Sequence, residues 1–250
     1  MLKRLGLVIF SILYWFWFIL THIVMIQIAF VIWIATLPFD KRLVILHHFS
    51  SFWGHSYMWM NPLWSFKMEG RKNIKRGKTY VIISNHQSML DIVVLYGLFR
   101  HFKWVSKKEN FSIPIIGWLM RMNRYIEIDR GSTGTYLGMM RKISATLKGG
   151  SSVMMFPEGT RQPGEGFGVF RDGAFRMALE NEAGIIPVVL DGTAAAVPKG
   201  KLILPGKQRI VVKIMSEIPF ESFRGKTPKE LTNEVRELMI SEYNKLRVIS

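Results

Sequence analysis

From Leu5 to Leu37 the sequence contains no Asp, Glu, Lys or Arg, and this stretch constrains the fold more than any other. One unbroken helix of that length would reach about 50 Å, whereas the hydrocarbon core of a bilayer is about 30 Å thick. His22 and Gln27 lie near its middle. We therefore predict a membrane-associating helix that either crosses the bilayer or enters one leaflet, the alternative being a buried helix of a soluble domain.

A second helical segment is predicted from about Lys41 to Met60, where large apolar residues alternate with histidines and serines. Such a mixture favours an amphipathic helix that lies in an interface over a second span. His47, His48 and His55 could also suggest a metal site, the alternative being packing or interface histidines. Six of the eight tryptophans fall in the first 64 residues, as is typical of the membrane–water boundary. We predict that residues 1–64 form a two-helix membrane-associating region.

The composition narrows the classes of function. The absence of cysteine excludes disulfides, thiolate metal sites and a cysteine nucleophile. The formal charge of +16 predicts an acidic partner, which could be nucleic acid, anionic lipid or a phosphorylated substrate. We expect no nucleic acid, because no helix-turn-helix, zinc or RNA-binding signature accompanies the charge.

Beyond Pro62, runs typical of strands alternate with runs typical of helices, which predicts an α/β domain over residues 65–250. We expect a largely parallel mixed sheet flanked by helices, with ligands bound beyond the carboxyl ends of the strands. The predicted strands are 65–69, 80–84, 103–106, 125–128, 152–156, 185–190 and 210–214. The predicted helices are 89–99, 133–148, 174–181 and 228–246.

The run from Asn85 to Asp91 follows the predicted buried strand 80–84 and precedes a predicted helix. An imidazole such as that of His86 can take up a proton near neutral pH, and a carboxylate such as that of Asp91 can orient it. Residues five apart on a helix lie roughly 140° apart. The pair can therefore meet only if His86 precedes the helix and bends back over its first turn. Ser88 and Asp91 also fit a capping box, in which the carboxylate would satisfy only the backbone.

A second run of interest extends from Pro157 to Arg161, directly after the predicted strand 152–156. Pro157 ends the strand because it has no backbone N–H. Gly159 permits a close backbone approach, and Arg161 offers a planar fork suited to a phosphate or a carboxylate. The alternative is a surface turn with a solvated arginine.

Together, the Asn-His-x4-Asp run ending at Asp91 and the Phe-Pro-Glu-Gly-Thr-Arg run ending at Arg161 resemble the glycerolipid acyltransferase family. Further elements agree in the same order along residues 65–220. These elements are Lys107-Lys108-Glu109 with Pro114 and Gly117-Trp118, then Ile126 to Arg130, and Ile186 to Val189. The chain departs from the family pattern after Arg161, because residues 162–168 intervene and Phe170-Arg171-Asp172-Gly173 stands where Phe-Lys-x-Gly is expected.

The resemblance implies acyl transfer from an acyl thioester to the sn-2 hydroxyl of 1-acylglycerol 3-phosphate, lysophosphatidic acid, giving phosphatidic acid. It implies that His86 is the general base and that Asp91 orients it, without an acyl-enzyme. It also implies which residues contact the substrate. Arg161 and Lys107 are the first candidates for binding its phosphate. Glu158 would either hold the acceptor or brace the loop. The predicted substrate-binding residues are Lys107, Arg130, Glu158, Gly159, Thr160 and Arg161.

The resemblance also implies no cofactor, with acyl-CoA or acyl-acyl carrier protein as the donor substrate. The expected partners are membrane phospholipids, and the expected location is the inner, cytoplasmic membrane with the catalytic domain on the cytosolic side. Two alternatives remain open. The acceptor could be another lysolipid or glycerol 3-phosphate, or the chain could be a membrane-bound metal-dependent hydrolase that uses His86, Asp91 and Glu158 as ligands.

Overall fold

The computed structural model describes residues 2–128, 133–162 and 166–248, in which helices alternate with strands. The helices are α1 (Leu2–Thr36), α2 (Val44–Trp59), α3 (Leu90–Tyr96), α4 (Ile116–Met122), α5 (Thr133–Lys148), α6 (Gly173–Glu180), α7 (Thr193–Ala196) and α8 (Pro228–Val248). The strands are β1 (Trp64–Glu69), β2 (Tyr80–Ser84), β3 (Phe102–Lys107), β4 (Ile126–Ile128), β5 (Ser152–Met155), β6 (Gly184–Asp191) and β7 (Gln208–Ile214).

The seven strands form one sheet in the order β1-β7-β6-β2-β5-β3-β4. All neighbouring pairs are parallel except β6 and β7, which run antiparallel. The prediction of a largely parallel mixed sheet is therefore confirmed. Because β2, β5 and β6 are parallel neighbours, their carboxyl ends meet at one edge of the sheet.

Strand β2 shows why the sheet is covered on both faces. All five of its residues are buried, and successive side chains point to opposite faces. Tyr80 and Ile82 pack in one apolar cluster with residues of α2 and α3, whereas Val81 and Ile83 pack in another with α5, α6 and α8. A continuous apolar run of this kind is typical of a central strand between two helical layers.

Helix α1 lies against the domain along one face. Ser11, Tyr14, Ala29 and Thr36 on this face are buried, and Ala29 packs with Leu43, which precedes α2, and with Leu46 of α2. The helix is long and apolar enough to cross a membrane, with a mean hydropathy of 2.3. Its other faces expose large apolar side chains, among them Ile9, Ile12, Leu13, Phe16, Ile19, Ile23, Val31 and Ile34.

Helix α2 is amphipathic as predicted, but its polar side faces the protein. His47 and His55 are buried, and the two ring nitrogens of His47 lie 3.0 Å from the Tyr125 hydroxyl and 3.0 Å from the Arg100 carbonyl. Phe52 and Trp59 are more than half exposed. Apart from His48, the exposed side chains of α2 are thus apolar, like those of α1. The division of the chain at residue 64 stays a prediction.

The helices differ most from the prediction at α3, α4 and α7. Helix α3 ends at Tyr96, not at Phe99, whose φ of 47° lies in the left-handed region. Helices α4 and α7 were not predicted, because each is short and carries little periodicity of its own.

Candidate active site

The site is built at the carboxyl end of β2, where Asn85 fixes the point at which the chain leaves the sheet. The Asn85 side-chain amide donates to the Leu190 carbonyl at 2.9 Å, and its Oδ1 accepts the Leu190 N–H at 2.8 Å. These two hydrogen bonds resemble those between the backbones of paired strands, and they continue the pairing of β2 with β6 beyond Ser84. His86, the next residue, therefore leaves the sheet from a rigid support.

His86 and Asp91 meet as the sequence required, with His86 in the turn before α3 and Asp91 in its first turn. The His86 Nδ1 lies 2.7 Å from the Asp91 Oδ2, and the carboxylate is fully buried. The same oxygen accepts the backbone N–H of Gln87 at 2.6 Å and of Ser88 at 2.9 Å. Because a carboxylate can only accept, Nδ1 carries the hydrogen and Nε2 is left with a lone pair. Asp91 thus caps the turn and orients the imidazole at once.

The imidazole rests on Phe156, the residue that follows β5. The two rings are stacked, with centroids 3.9 Å apart and planes 11° from parallel. Phe156 in turn stacks on Trp104 of β3. Aromatic support on one side and the carboxylate on the other leave the imidazole little freedom to rotate.

The backbone of His86 is held on both sides by the run from Pro157 to Gln162. The His86 N–H donates to the Glu158 Oε1 at 3.3 Å, and its carbonyl accepts the Gln162 N–H at 2.7 Å. Glu158 is only 4% exposed and does not line either cavity described below. Of the two roles considered for Glu158, this position supports bracing of the loop.

The pKa of Glu158 is raised to about 7, mainly by burial and also by the nearby Asp91 charge, against the lowering effect of the His86 and Gly168 backbone N–H groups and of the Arg236 charge. Its second oxygen, Oε2, has no hydrogen-bond partner among the described residues, which also disfavours the charged form. Arg236 of α8 holds the adjoining loop by donating to the carbonyls of Gly168 at 3.0 Å and Phe167 at 3.3 Å. The active-site turn is therefore connected to the last helix.

A basic cleft of about 510 Å³ opens on one side of His86. Four of the six predicted substrate-binding residues line it, namely Lys107, Gly159, Thr160 and Arg161. Of the other two, Glu158 does not line the cleft, and Arg130 lies outside the residues that the structure describes. Arg171 also lines the cleft and was not predicted as a site residue. The signal was present, because Arg171 occupies the place of the lysine in the expected Phe-Lys-x-Gly stretch.

An apolar cavity of about 280 Å³ opens on the other side of His86, between the sheet and the first two helices. Its walls bring together parts of the chain that are far apart in sequence, which is why sequence reasoning missed it. They include Tyr14, Phe18, Trp53, Tyr57, Val93, Trp104 and Met120. His86, Met89, Ser106 and Phe156 line both spaces. The imidazole therefore stands where an apolar cavity meets a cationic cleft.

This arrangement can perform one kind of chemistry directly. An Nε2 lone pair, with a buried carboxylate behind the ring, can remove a proton from an alcohol. Cations on one side suit a phosphate, and the apolar walls on the other suit a hydrocarbon chain. Within the parts of the chain that the structure describes, no group of three or more His, Cys, Asp or Glu side chains could hold a metal ion.

Comparison with known proteins identifies the family to which the sequence is similar. The family model described as Acyltransferase matches residues 65–191, which contain His86, Asp91 and the run from Pro157 to Arg161. A chloroplastic 1-acyl-sn-glycerol-3-phosphate acyltransferase of Arabidopsis thaliana is 33% identical over 204 residues, which are 80% of this chain and 55% of that protein. A 1-acyl-sn-glycerol-3-phosphate acyltransferase of Chlamydomonas reinhardtii is 34% identical over 81% of this chain and 61% of its own length.

The fold also has a solved counterpart, the crystal structure of the 1-acyl-sn-glycerophosphate acyltransferase from Thermotoga maritima. It superposes with a TM-score of 0.77 at 20% identity and covers 98% of this chain and 97% of that one. This chain spans little more than half the length of the two curated relatives described above. Since the family model covers just over half of its residues, the chain belongs to the acyltransferase family.

Proposed function

We propose that this protein transfers an acyl chain from an acyl thioester to the sn-2 hydroxyl of 1-acylglycerol 3-phosphate, giving phosphatidic acid for phospholipid biosynthesis. The observation that carries the proposal is the position of the His86–Asp91 pair, with a cationic cleft on one side and an apolar cavity on the other. The names of the curated relatives support the same acceptor.

In the proposed reaction, the Nε2 of His86 removes the proton of the sn-2 hydroxyl as that oxygen attacks the thioester carbonyl carbon. The C–O bond forms, the C–S bond breaks, and His86 returns the proton to the departing thiolate. The products are phosphatidic acid and a free thiol. Asp91 stabilises the imidazolium that forms between the two proton transfers. The acceptor is itself the nucleophile, so no acyl-enzyme is required.

The basic cleft would hold the glycerol phosphate. Lys107, Arg161 and Arg171 line it and supply cations, and the exposed Thr160 supplies a hydroxyl. Gly159, with a φ of 69°, adopts a backbone conformation that a side chain would disfavour. Arg130 remains a proposed phosphate contact. Guanidinium groups suit this role because they bind a phosphate through two parallel hydrogen bonds.

The apolar cavity would hold the acyl chain of the thioester, so that its carbonyl lies beside His86. The donor would be acyl-CoA or acyl-acyl carrier protein, and no cofactor would be needed. Because α1 and α2 form part of the cavity wall and expose apolar side chains outward, the membrane would also be the source of the acceptor. We place the protein at the inner, cytoplasmic membrane, with the catalytic domain on the cytosolic side.

The test is a panel of acceptors with the purified protein in detergent and one labelled acyl-CoA. The panel contains lysophosphatidic acid, glycerol 3-phosphate and several lysophospholipids with larger headgroups. We expect lysophosphatidic acid to be used best, because the cleft offers cations for a phosphate monoester. Robust use of another acceptor without use of lysophosphatidic acid would overturn the proposed substrate.

Variants of two histidines test the chemistry in the same assay. His86→Ala should lower kcat by a factor on the order of 100 to 10,000, the usual contribution of a general base. The matched control is His48→Ala, which removes an exposed histidine of α2 and should leave kcat unchanged. Equal activity of both variants would remove His86 from the reaction.

A further inference from the structure

The segment of residues 198–207, which joins α7 to β7, presents two apolar side chains between lysines. It reads Pro-Lys-Gly-Lys-Leu-Ile-Leu-Pro-Gly-Lys, and we call it the 198–207 loop. Leu202 is 78% exposed and Ile203 is 47% exposed, whereas Leu204 is fully buried. Exposure of two neighbouring aliphatic side chains at a loop tip has no benefit in water and suggests an apolar partner.

The exposed tip is held in place by α1. The Ser11 hydroxyl oxygen accepts the Leu204 N–H at 2.9 Å, and the Trp15 indole donates to the Leu202 carbonyl at 2.7 Å. The Leu204 side chain packs in the apolar cluster that also contains Tyr14. Leu202 and Ile203 are therefore presented outward by a fixed backbone, beside the exposed apolar residues of α1.

The other end of the loop adjoins the active-site turn. The Ser88 hydroxyl donates to the Val197 carbonyl at 2.9 Å, and Val197 lines the apolar cavity together with His86. The loop therefore extends from the wall of this cavity to the outer surface of α1. A lipid that approaches His86 from the side of α1 would pass along this loop.

The charges of the loop complete the pattern. Lys199, Lys201 and Lys207 are exposed, and none of them forms an ion pair within residues 2–128, 133–162 and 166–248. Apolar side chains flanked by lysines suit the headgroup region of an anionic membrane, where the aliphatic groups enter the acyl layer and the ammonium groups bind phosphates. An acidic protein would pair with the lysines but would leave Leu202 and Ile203 without a matching surface.

We propose that the 198–207 loop is a second membrane-binding element, which inserts Leu202 and Ile203 into an anionic bilayer beside α1 and flanks the path by which the lysolipid reaches His86. Its role in substrate entry rests on the proposed function. Its insertion is a separate property, which can be measured without any reaction.

The absence of cysteine from the chain permits a direct test of insertion. Leu202→Cys is labelled with an environment-sensitive fluorophore, and the full-length protein is reconstituted into vesicles of phosphatidylcholine and phosphatidylglycerol in a two-to-one ratio. The matched control is Leu238→Cys, because Leu238 is 44% exposed on α8, a helix that packs on the opposite face of the sheet. Doxyl-labelled lipids should quench the fluorophore at residue 202 and leave that at residue 238 unaffected. If aqueous iodide quenches both labels equally and doxyl lipids quench neither, the proposal is wrong.

A charge variant tests the lysines. The triple variant of Lys199, Lys201 and Lys207 to Gln is compared with a triple variant of Lys142, Lys148 and Lys229 to Gln, which removes three exposed lysines from α5 and α8. We expect the loop variant to lower kcat/KM for lysophosphatidic acid in the anionic vesicles by up to about fivefold per lysine. In neutral detergent micelles, kcat/KM should be unchanged, and the control variant should match the wild type in both media.

The outcomes separate this proposal from the proposed function. If the wild-type protein acylates no lysophosphatidic acid in micelles, the proposed function fails, and the quenching experiment still decides whether the loop inserts. If micellar activity is normal but residue 202 stays in water, the loop proposal alone fails. If the loop variant loses activity only with acyl-acyl carrier protein as donor, in vesicles and micelles alike, the lysines bind an acidic protein and the membrane proposal is overturned.

Discussion

At the scale of single residues, the site depends on one carboxylate oxygen that accepts three hydrogen bonds. The Asp91 Oδ2 receives the His86 ring N–H and the backbone N–H groups of Gln87 and Ser88. The residue is fully buried, so its negative charge has these donors in place of water. The backbone bonds fix the carboxylate, and the fixed carboxylate orients the imidazole.

Replacing Asp91 by Asn should separate its two roles. The Asn side chain keeps an oxygen that can accept the backbone N–H groups, but it lacks the charge that stabilises the imidazolium. We expect kcat to fall by a factor on the order of 100 to 10,000 with little change in Tm. Asp91→Ala should lose activity and also about 1–3 kcal/mol of stability, because it leaves buried donors unpaired. Normal kcat in the Asn variant would contradict the stabilisation of the imidazolium by the Asp91 charge.

Glu158 predicts a pH dependence of stability. Its pKa in the folded protein is about 7 because of burial, whereas an exposed glutamate titrates near 4.5. Between pH 4.5 and pH 7 the Glu158 carboxyl binds a proton more often in the folded protein than in the unfolded chain. Its contribution to the free energy of unfolding is therefore complete below pH 4.5 and is lost as the pH rises to about 7. The Tm of Glu158→Gln relative to wild type should therefore increase from pH 5 to pH 8, by up to the equivalent of about 3 kcal/mol.

The control for this measurement is Glu180→Gln, which changes an exposed acid at the end of α6. Its Tm relative to wild type should not depend on pH over the same interval. A flat difference for Glu158→Gln as well would show that the Glu158 carboxyl titrates like an exposed one.

At the scale of elements, the two helices before the sheet contribute to the candidate site as well as to the proposed membrane association. Tyr14 of α1 and Trp53 of α2 line the apolar cavity, opposite Val93 of α3. Gly54 of α2 permits this close packing, because a Cβ there would lie 2.5 Å from a ring carbon of Tyr96. The proposed acyl site therefore exists only when α1 and α2 are docked on the domain.

Filling the cavity should change the preferred donor. Val93→Phe enlarges a side chain of the cavity wall, so the last methylene groups of a long acyl chain no longer fit in the cavity. Each excluded methylene group loses about 0.8 kcal/mol of binding free energy. Excluding two methylene groups should lower kcat/KM for a long-chain acyl-CoA about tenfold and leave a short-chain donor unaffected. The control, Leu137→Phe, enlarges an exposed residue of α5. An unchanged chain-length profile would place the acyl chain elsewhere.

At the scale of the whole molecule, the formal charge of +16 should act on the rate of encounter with acidic substrates. We expect kcat/KM for acyl-CoA to fall as the salt concentration rises, because salt screens attraction between separated charges, while kcat at saturation stays constant. An uncharged acyl thioester of N-acetylcysteamine is the control and should show a much weaker salt dependence. Equal salt dependence of both donors would mean that the net charge does not guide acyl-CoA.

The sequence predicted the sheet and the contact between His86 and Asp91 more completely than it predicted the helices and cavities. Strand β2 could be identified because Tyr80 to Ile83 form an apolar run, which Ser84 and Asn85 follow. Helix α4 could not, because it is short and begins after a strained turn in which Ile115 has a φ of 66°. Arg171 lines the same cleft as Lys107 and Arg161 because of the folded position of residues 166–171, which the sequence did not predict.

What the sequence alone determined was local: a long helix with an uncharged run from Leu5, a strand that ends just before Asn85, and a histidine and a carboxylate near enough along the chain to meet. Hydrophobic periodicity and residue type suffice for these features, because they act within a few turns of the chain. Tertiary structure alone decided that α2 turns His47 and His55 inward, that Glu158 supports the His86 backbone, and that two unlike spaces meet at one imidazole. Those features depend on contacts between residues far apart in sequence, and only packing of the whole chain determines such contacts.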